Sequence, residues 1–332
     1  MATFHSTGRY HVDGLAVAED GRIAVATSSL TGDVWDGQLL LLRSAAGSAA
    51  ADVCASIPTS SGNTAVVWAG PGLLASADDL GDVRLWRFPA DAPVAAIEGM
   101  RPIASYRDHE QSVSCLASAP GGLRLASGSQ DGTVKVWASN NSSSQAELSL
   151  VHTSPSPWCD PGISGVAFAS ADTVVSVAAD GLLRLWDLRA ATPAVRCVAR
   201  EGAGLCCVAP INDTLVVVGT QAGEVIAVDW RNDAAIGNAK PRAGLGNGPI
   251  RALCAAPGAA LSSVPLVAAA DDSGRAYVLE ASGLALRGSV SAHADGMSAV
   301  GWMAAPSGTD AALVSGGWDK RVLTHAMRLS AC

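Results

Sequence analysis

Short apolar runs alternate with turn residues along the whole chain, and the most regular example lies at residues 123–138. This segment, LRLASGSQDGTVKVWA, places one apolar run before an Asp131-Gly132 turn and an alternating run after it, ending at Trp137. Two short strands joined by Asp-Gly are typical of a β-hairpin, because glycine readily adopts the positive φ that tight turns require. The pattern therefore predicts two paired strands.

Comparable hairpins recur along the chain, and each contains a Gly or Lys at the predicted turn. The seven predicted hairpins cover residues 21–43, 72–88, 123–138, 172–188, 213–230, 265–281 and 311–327, with turn positions at Gly37, Gly81, Gly132, Gly181, Gly223, Gly274 and Lys320. The interval of roughly 40 to 50 residues is close to that of a WD-repeat blade, which is a four-stranded antiparallel sheet. Residues 1–332 are therefore predicted to form one all-β domain, a seven-bladed WD-repeat β-propeller.

Each blade needs an inner strand before its hairpin and an outer strand after it. The apolar runs that fit inner strands are 15–18, 65–69, 113–117, 163–168, 205–209, 250–255 and 297–302. The outer-strand candidates are 53–57, 103–106, 148–152, 195–199 and 285–290, with that of the fifth blade somewhere in 234–243. Few residues follow the last hairpin, so the segment Thr3–Gly8 is predicted to supply the outer strand of the seventh blade and close the ring.

Composition narrows the class of protein further. The formal net charge of −8 argues against a nucleic-acid partner, and no apolar run is long enough to cross a membrane. The N-terminal segment lacks the apolar core of a signal peptide, and the eight cysteines form no C-x-x-C pair. We expect reduced thiols in a cytoplasmic and nuclear protein; a redox role for Cys206-Cys207 is the alternative.

The third predicted blade contains a His, a Ser, an Asp and a Trp at positions that WD repeats use for an internal hydrogen-bond network. These residues are His109, Ser127, Asp131 and Trp137, and the seventh blade has His293, Ser315 and Asp319, with His325 in place of the Trp. The Asp accepts from the His ring and from turn amides, and the chain continues through the Ser to the Trp N–H. A hydrolytic triad is the alternative, but the repeat positions favour a structural role. No metal or cofactor motif is present among the histidines and cysteines.

The first hairpin differs from the others because its predicted turn is long and carries a tryptophan. Trp35 lies between Asp33 and Asp36, and Leu30 precedes them. An exposed Trp is typical of binding hot spots. The alternative is that Trp35 folds back onto the propeller itself.

The first and last blades resemble those of one WD-repeat family, the methylosome WD-repeat subunits that partner the type II protein arginine methyltransferase. The pattern SSL-x-G-x-x-W-x-G-x-L occurs at Ser28-Ser29-Leu30, Gly32, Trp35, Gly37 and Leu39, and an Asp-Gly pair lies upstream at Asp20-Gly21. The last blade has the similar motif Gly317-Trp318-Asp319, Val322 and His325. The chain lacks the Pro-rich N-terminal extension of that family and differs from it at residues 153–162.

The resemblance implies a non-catalytic adaptor that belongs to a hetero-oligomer with the methyltransferase. It implies that the blade-1 segment with Trp35, Leu30, Asp33 and Asp36 contacts the enzyme, and that the propeller helps to present arginine-rich proteins such as histones and Sm proteins. The acidic net charge is compatible with such substrates. Two alternatives remain at this point: a WD-repeat scaffold of another assembly, such as a ubiquitin-ligase receptor or trafficking factor, and an enzyme.

Overall fold

Seven four-stranded antiparallel sheets, or blades, make up the protein in a computed structural model. The structure describes residues 3–31, 33–44, 51–88, 100–121, 124–139, 148–154, 162–189, 194–200, 202–230, 242–246, 248–257, 264–304 and 311–327. These described residues contain strands and turns but no helix. The chain is therefore an all-β, seven-bladed propeller, as the repeat pattern predicts.

The strands of each blade follow one another in chain order from the innermost to the outermost. In blades 1 and 2 they are β2 (His11–Val17), β3 (Arg22–Thr31), β4 (Val34–Ser44), β5 (Ala51–Thr59), β6 (Asn63–Gly70), β7 (Leu73–Asp78), β8 (Asp82–Arg87) and β9 (Ala104–Arg107). In blades 3 and 4 they are β10 (Val113–Ser118), β11 (Arg124–Ser129), β12 (Val134–Ser139), β13 (Leu148–Thr153), β14 (Ile163–Ser170), β15 (Thr173–Ala178), β16 (Leu182–Asp187) and β17 (Ala194–Arg200).

The remaining three blades follow the same plan. In blades 5 and 6 the strands are β18 (Leu205–Pro210), β19 (Leu215–Thr220), β20 (Glu224–Asp229), β21 (Arg242–Gly244), β22 (Ile250–Ala255), β23 (Leu266–Asp271), β24 (Arg275–Glu280) and β25 (Leu286–Ser291). Blade 7 contains β26 (Met297–Ala304), β27 (Ala311–Gly317), β28 (Arg321–Met327) and, as its outer strand, β1 (Thr3–Ser6).

The N-terminal strand closes the ring, and this prediction is confirmed. β1 pairs antiparallel with β28, from Thr3 opposite Thr324 to Ser6 opposite Arg321. The amide of Thr7 extends the ladder by donating to the Lys320 carbonyl at 3.0 Å. The first and last segments of the chain therefore share one sheet, which leaves no open seam between the two ends.

Apolar side chains pack mainly between neighbouring blades, where the flat faces of the sheets meet. Trp137 on β12 is almost fully buried and packs with Val83 and Leu85 of blade 2. Trp86 of blade 2 packs with Ala24 and Leu39 of blade 1 in the same way. The tryptophans of the third strands thus fill the spaces between blades, and the core forms a ring around the central channel.

The inner strands are joined around the channel by a second set of hydrogen bonds. Each inner strand has a bulge within its first three residues, and in five blades a side chain at or just after the bulge donates to a carbonyl near the start of the next inner strand. The donors and acceptors are Thr64 and Val113, Ser114 and Ile163, Ser164 and Leu205 (2.7 Å), Cys207 and Ile250 (3.3 Å), and Ser298 and Val12. Asp13 and Arg251 occupy the bulges of blades 1 and 6, and no bond of this kind links either one to the described residues.

Two predicted strand positions shift in the structure. The inner strand of blade 1 begins at His11, four residues before the predicted start. The outer strand of blade 5 is Arg242–Gly244, at the C-terminal end of the predicted window, and residues 234–241 lie outside the described residues. Both segments lack the clear apolar alternation on which the other predictions depend.

Candidate docking surface on blades 7, 1 and 2

The blade-1 hairpin is longer than those of the other blades and extends beyond them at one face of the propeller. We call this the upper face; it carries the turns that join the second and third strands of each blade. β3 and β4 pair continuously as far as Leu30 opposite Trp35 and Thr31 opposite Val34. The hairpins of blades 2 to 6 are built from strands of six residues, whereas β3 has ten and β4 eleven.

This geometry corrects two predictions about blade 1. The long turn expected around Trp35 does not exist, because Trp35 belongs to strand β4, and Gly37, predicted at the turn, lies within that strand opposite Ser28. A β-branched and aromatic sequence favours continued pairing, so the chain turns only between Thr31 and Val34. Gly37 is needed for close packing instead, since a Cβ there would collide with the Thr27 carbonyl.

The tip of this hairpin exposes three large apolar side chains. Leu30 is 61% exposed, Val34 is 60% exposed and Trp35 is 44% exposed. Asp33 is also exposed beside them. Such a cluster at the end of a paired hairpin has little material of its own chain to cover it, which is typical of a protein-binding surface.

Trp35 packs against Gly62, in the connection between blades 1 and 2. A Cβ built on Gly62 would collide with the indole nitrogen edge of Trp35, so the ring lies directly against the Gly62 backbone. One side of the indole is therefore packed onto the propeller and the other is open. Trp35 is therefore partly exposed and partly packed onto its own propeller, whereas the sequence left exposure and packing as alternatives.

Asp36 forms an ion pair within the chain at the base of the tip. One of its carboxylate oxygens forms an ion pair with Arg9, and the Arg9 guanidinium stacks over the ring of Tyr10 at 4.9 Å. Asp36 is the least exposed of the four predicted contact residues. We therefore assign it the role of positioning the hairpin.

Neighbouring blades extend the exposed apolar surface in both directions. Leu80, in the β7–β8 turn of blade 2, is 50% exposed, and Trp318, in the β27–β28 turn of blade 7, is 37% exposed. Gly62, which supports Trp35, accepts a hydrogen bond from the Asp79 amide next to Leu80 at 3.2 Å. On the other side, His11 of blade 1 bonds the Trp318 carbonyl at 2.7 Å.

We call the set Trp318, Leu30, Val34, Trp35 and Leu80 the upper apolar strip. The sequence analysis missed Val34 and Leu80, and it noted Trp318 only as part of a motif. The available signal was a large apolar residue at a turn position that favours polar residues or glycine, as in Asp79-Leu80-Gly81.

The structure brings the four network residues of blade 3 together. His109 Nδ1 lies 2.9 Å from Asp131 Oδ2, and His109 Nε2 lies 2.8 Å from Ser127 Oγ. The Trp137 indole N–H donates to Ser127 Oγ at 3.2 Å. The Ser127 hydroxyl therefore donates to the histidine and accepts from the tryptophan, and the Asp131 carboxylate also receives the Glu110 and Thr133 amides.

Blade 7 contains the same network with a histidine as the final donor. His293 bonds Asp319 at 2.7 Å and Ser315 at 2.9 Å, and His325 Nε2 lies 2.9 Å from Ser315 Oγ. Burial, aided by the nearby His293, lowers the pKa of His325 to about 4. Its neutral imidazole therefore donates N–H to Ser315, as the Trp137 indole does to Ser127.

These His, Ser and Asp residues are a structural network in both blades. Ser127 and Ser315 are fully buried, so neither hydroxyl can reach a substrate. Burial lowers the pKa of His109, against the effect of its hydrogen bond to Asp131. The observed geometry thus supports the role in folding that the repeat positions indicate.

Blades 2 and 4 fix their turn aspartates with arginine instead of histidine. Arg84 Nη2 pairs with Asp78 at 2.7 Å, and Arg184 Nη2 pairs with Asp180 at 2.7 Å. The tryptophans Trp86 and Trp186 still donate to a serine on the adjacent strand. This use of arginine in place of histidine was not predicted from the sequence, although both arginines precede the Trp by two residues.

Four of the cysteine thiols are shielded from water by burial. Burial raises the pKa of the Cys115 thiol to about 12 and raises those of Cys206, Cys207 and Cys254. Thiols that stay protonated are poor nucleophiles, which disfavours the redox role for Cys206-Cys207. Cys159 and Cys332 lie outside the described residues.

No group of three or more His, Cys, Asp or Glu side chains within the described ranges is arranged to hold a metal ion. The same part of the chain has no helix of the length and hydropathy needed to cross a membrane.

The fold, the repeated hairpins and the His-Ser-Asp-Trp network together define a WD-repeat β-propeller. The family described as WD domain, G-beta repeat matches residues 100–138, which include the blade-3 network. The propeller of Doa1 superposes over 97% of this chain and 96% of its own, with a TM-score of 0.72 and 14% identity. A chain of the mitotic checkpoint complex superposes over 98% of this chain and 90% of its own, with a TM-score of 0.71 and 16% identity. At these identities the structures support the fold alone.

Sequence comparison points to one relative in particular. The chain is 28% identical to methylosome protein WDR77 of Xenopus laevis over 219 residues, which are 64% of this chain and 62% of that protein. It is also 27% identical to human striatin over 131 residues, which are 38% of this chain but only 17% of striatin. Together with the fold, these similarities support a protein-interaction scaffold.

Proposed function

We propose that this protein is the non-catalytic adaptor subunit of a protein arginine methyltransferase complex. The observation that carries the proposal is the blade-1 hairpin, which projects Leu30, Val34 and Trp35 from the upper face. The similarity to methylosome protein WDR77 supports the choice of partner. In this proposal the partner is a type II arginine methyltransferase, and the propeller works in the cytoplasm and nucleus.

The geometry of the hairpin suits a docking element. Its backbone is paired up to the tip, and the Arg9–Asp36 pair and the Gly62 contact fix its base. Little conformational entropy is then lost when the exposed side chains are covered. Trp35 is the expected anchor, with Leu30 and Val34 beside it and the exposed Asp33 at the rim.

The acidic character of the protein supports a second part of the proposal. The net charge of −8 attracts arginine-rich proteins and favours their association with the complex. We therefore propose that the adaptor increases the local concentration of substrates such as histones and Sm proteins near the enzyme. The chemistry itself belongs to the methyltransferase.

The first test is affinity purification of the tagged protein from its own cells, followed by mass spectrometry. We expect a near-stoichiometric arginine methyltransferase. Recovery of a different large partner, without any methyltransferase, would contradict the proposal and favour a scaffold of another assembly.

The second test compares Trp35→Ala with Leu286→Ala, an exposed apolar residue on the outer strand of blade 6. Truncation of a hot-spot Trp costs about 2 kcal/mol or more, which corresponds to at least a roughly thirtyfold loss of affinity for the methyltransferase. The Leu286→Ala control should bind as the parent does. Equal binding by both variants would remove Trp35 from the interface.

A further inference from the structure

The surface between the blade-1 hairpin and the β7–β8 turn of blade 2 combines exposed apolar side chains with carboxylates. Leu30 lies opposite Trp35 across the hairpin, so both side chains are on the same side of it. This side faces blade 2, because the Trp35 indole lies against Gly62. Leu80 is exposed in the neighbouring turn, next to Asp79. We call Leu30, Trp35, Gly62, Asp79 and Leu80 the blade 1–2 surface.

The backbone beneath this surface is fixed by hydrogen bonds within the chain. The Asp79 amide donates to the Gly62 carbonyl at 3.2 Å, and the Ser61 hydroxyl donates to Asp78 Oδ2 at 2.6 Å. Asp78 Oδ1 accepts the Leu80 amide at 3.1 Å. The blade-2 turn is thus attached to the same segment that supports the hairpin, so little conformational entropy is lost when a partner covers both.

Two carboxylates of the blade-2 turn are neutralised within the fold. Arg84 Nη2 lies 2.7 Å from Asp78 Oδ2 and 2.8 Å from Asp82 Oδ2. Arg107 Nε lies 3.8 Å from Asp82 Oδ1. Two guanidinium groups therefore balance these two carboxylates, and neither arginine carries a spare charge for others nearby.

Two further carboxylates have no cation beside them. Asp33 at the hairpin tip and Asp79 form no ion pair with any residue of the described ranges. The Arg9–Asp36 pair lies on the other side of the hairpin from Trp35, since side chains alternate along β4. The free charge of the blade 1–2 surface is therefore negative.

Asp79 is the carboxylate that would gain most from an added cation. Its Oδ1 atom is buried and has no hydrogen-bond partner in the part of the chain that the structure describes, although the side chain as a whole is only partly buried. Burial and the neighbouring Asp78 raise the pKa of Asp79. A cation beside Asp79 would offset both effects, because it favours the ionised carboxylate.

We propose that the blade 1–2 surface binds a segment of the methyltransferase in which a lysine or arginine adjoins a bulky apolar side chain. The apolar side chain packs against Trp35 and Leu80, and the cation pairs with Asp79. Asp33 adds longer-range attraction from the hairpin tip. The proposal rests on the adaptor function and adds to it the chemistry of the partner segment and Asp79 as a residue that selects this segment.

The test is isothermal titration calorimetry of the purified full chain with the methyltransferase recovered by affinity purification, at low and at high salt. Asp79→Asn keeps the shape of the side chain and removes its charge. We expect it to bind about three- to tenfold more weakly at low salt, with a smaller difference at high salt. Asp79→Glu keeps the charge and should bind within about twofold of the parent. A purely structural role of Asp79 would give a loss that does not depend on salt.

Glu19→Gln is the matched control. Glu19 is an exposed carboxylate in the β2–β3 turn, at the opposite end of the propeller from the hairpin tip. The variant loses the same charge from the whole protein, so it should bind as the parent does at both salt concentrations. Asp79→Asn that binds as tightly as Glu19→Gln, or more tightly than the parent, would overturn the proposal.

A double-mutant cycle tests whether Trp35 and Asp79 contact the same segment. In the Trp35→Ala background, Asp79→Asn should lose most of its effect, because the segment is no longer held against the surface. Fully additive effects would contradict a shared segment. A parent protein that does not bind the methyltransferase would overturn the adaptor function together with this proposal, whereas parent binding that Asp79→Asn leaves unchanged would overturn only the assignment of Asp79.

Discussion

Blade 3 and blade 1 have the same four-stranded plan, but they differ at the upper face. In blade 3 the hairpin stops early, and His109, Ser127, Asp131 and Trp137 satisfy one another's hydrogen bonds inside the fold. In blade 1 the hairpin continues past that level and ends in exposed apolar side chains. A turn that satisfies its own polar groups serves stability, whereas an extended hairpin without such a network is free to serve binding.

The largest expected effect is the difference in stability between Trp137→Ala in blade 3 and Trp35→Ala in blade 1. Trp137→Ala should lower the free energy of unfolding by about 3–5 kcal/mol, because it leaves a cavity between blades 2 and 3 and removes the indole N–H that donates to Ser127. Trp35→Ala should change stability by less than about 1 kcal/mol, since half of the ring is in water. Urea unfolding of both variants measures the difference. Similar losses of stability would contradict the view that Trp137 serves the fold and Trp35 serves binding.

The second effect is the loss of stability on removal of the N-terminal strand, which closes the ring in blade 7, next to the blade-1 hairpin. Removal of residues 1–10 takes away the β1–β28 ladder and the Arg9–Asp36 pair. We expect a loss of about 2–4 kcal/mol of stability, from several main-chain hydrogen bonds of about 1 kcal/mol each. Thermal unfolding checks this. A truncated protein that melts with the full chain would show that β1 contributes nothing to closure.

The third effect is a fall in the free energy of unfolding at low pH. It is expected from the blade-7 network, which contains His325 where blade 3 contains Trp137. The folded pKa of His325 is about 4, below the unfolded value of about 6.5, so the unfolded state binds its proton first as pH falls. This residue alone should remove about 2 kcal/mol of stability between pH 6.5 and pH 5.

His325→Trp gives blade 7 the residue type of blade 3 and should reduce that fall. The comparison is made between the variant and the parent across pH 5 to 7, because Asp13 acts in the opposite direction. Burial raises the pKa of Asp13 to about 6, so its protonation favours the folded state as pH falls. Parallel stability curves for the two proteins would exclude His325 as the titrating group.

The smallest expected effect tests whether the Arg9–Asp36 pair positions the blade-1 hairpin for binding. Arg9→Ala removes the partner of Asp36 at the base of the hairpin and should change stability little, because the Arg9 side chain is solvent-exposed and the pair is screened. Methyltransferase binding should fall a few-fold, as the tip becomes less well positioned. Arg189→Ala, which breaks an exposed pair with Asp187 in blade 4, is the control and should leave binding unchanged.

The sequence was sufficient for the blade plan because two short apolar strands around a turn, in most blades a turn with glycine, recur at a regular interval. It also indicated the networks of blades 3 and 7, where the residue types are distinctive. It failed for blade 1 because Gly37 resembles a turn residue locally, and only the approach of Thr27 and Asn63 shows why a glycine lies within that strand. The upper apolar strip escaped prediction because it joins residues of different blades.

The side chains that link neighbouring inner strands also divide the ring into two arcs. Two seams lack the polar bond found at the other five, those after Asp13 and after Arg251, and they flank blades 7 and 1. The shared β1 strand ties the N-terminus to blade 7, so these two blades form a short arc opposite a five-blade arc. At these two seams a tryptophan N–H supplies the bond instead, from Trp68 to the Ala16 carbonyl at 3.2 Å and from Trp302 to the Cys254 carbonyl at 2.9 Å. The two tryptophans therefore hold the shorter arc, which carries the docking hairpin, to the rest of the ring.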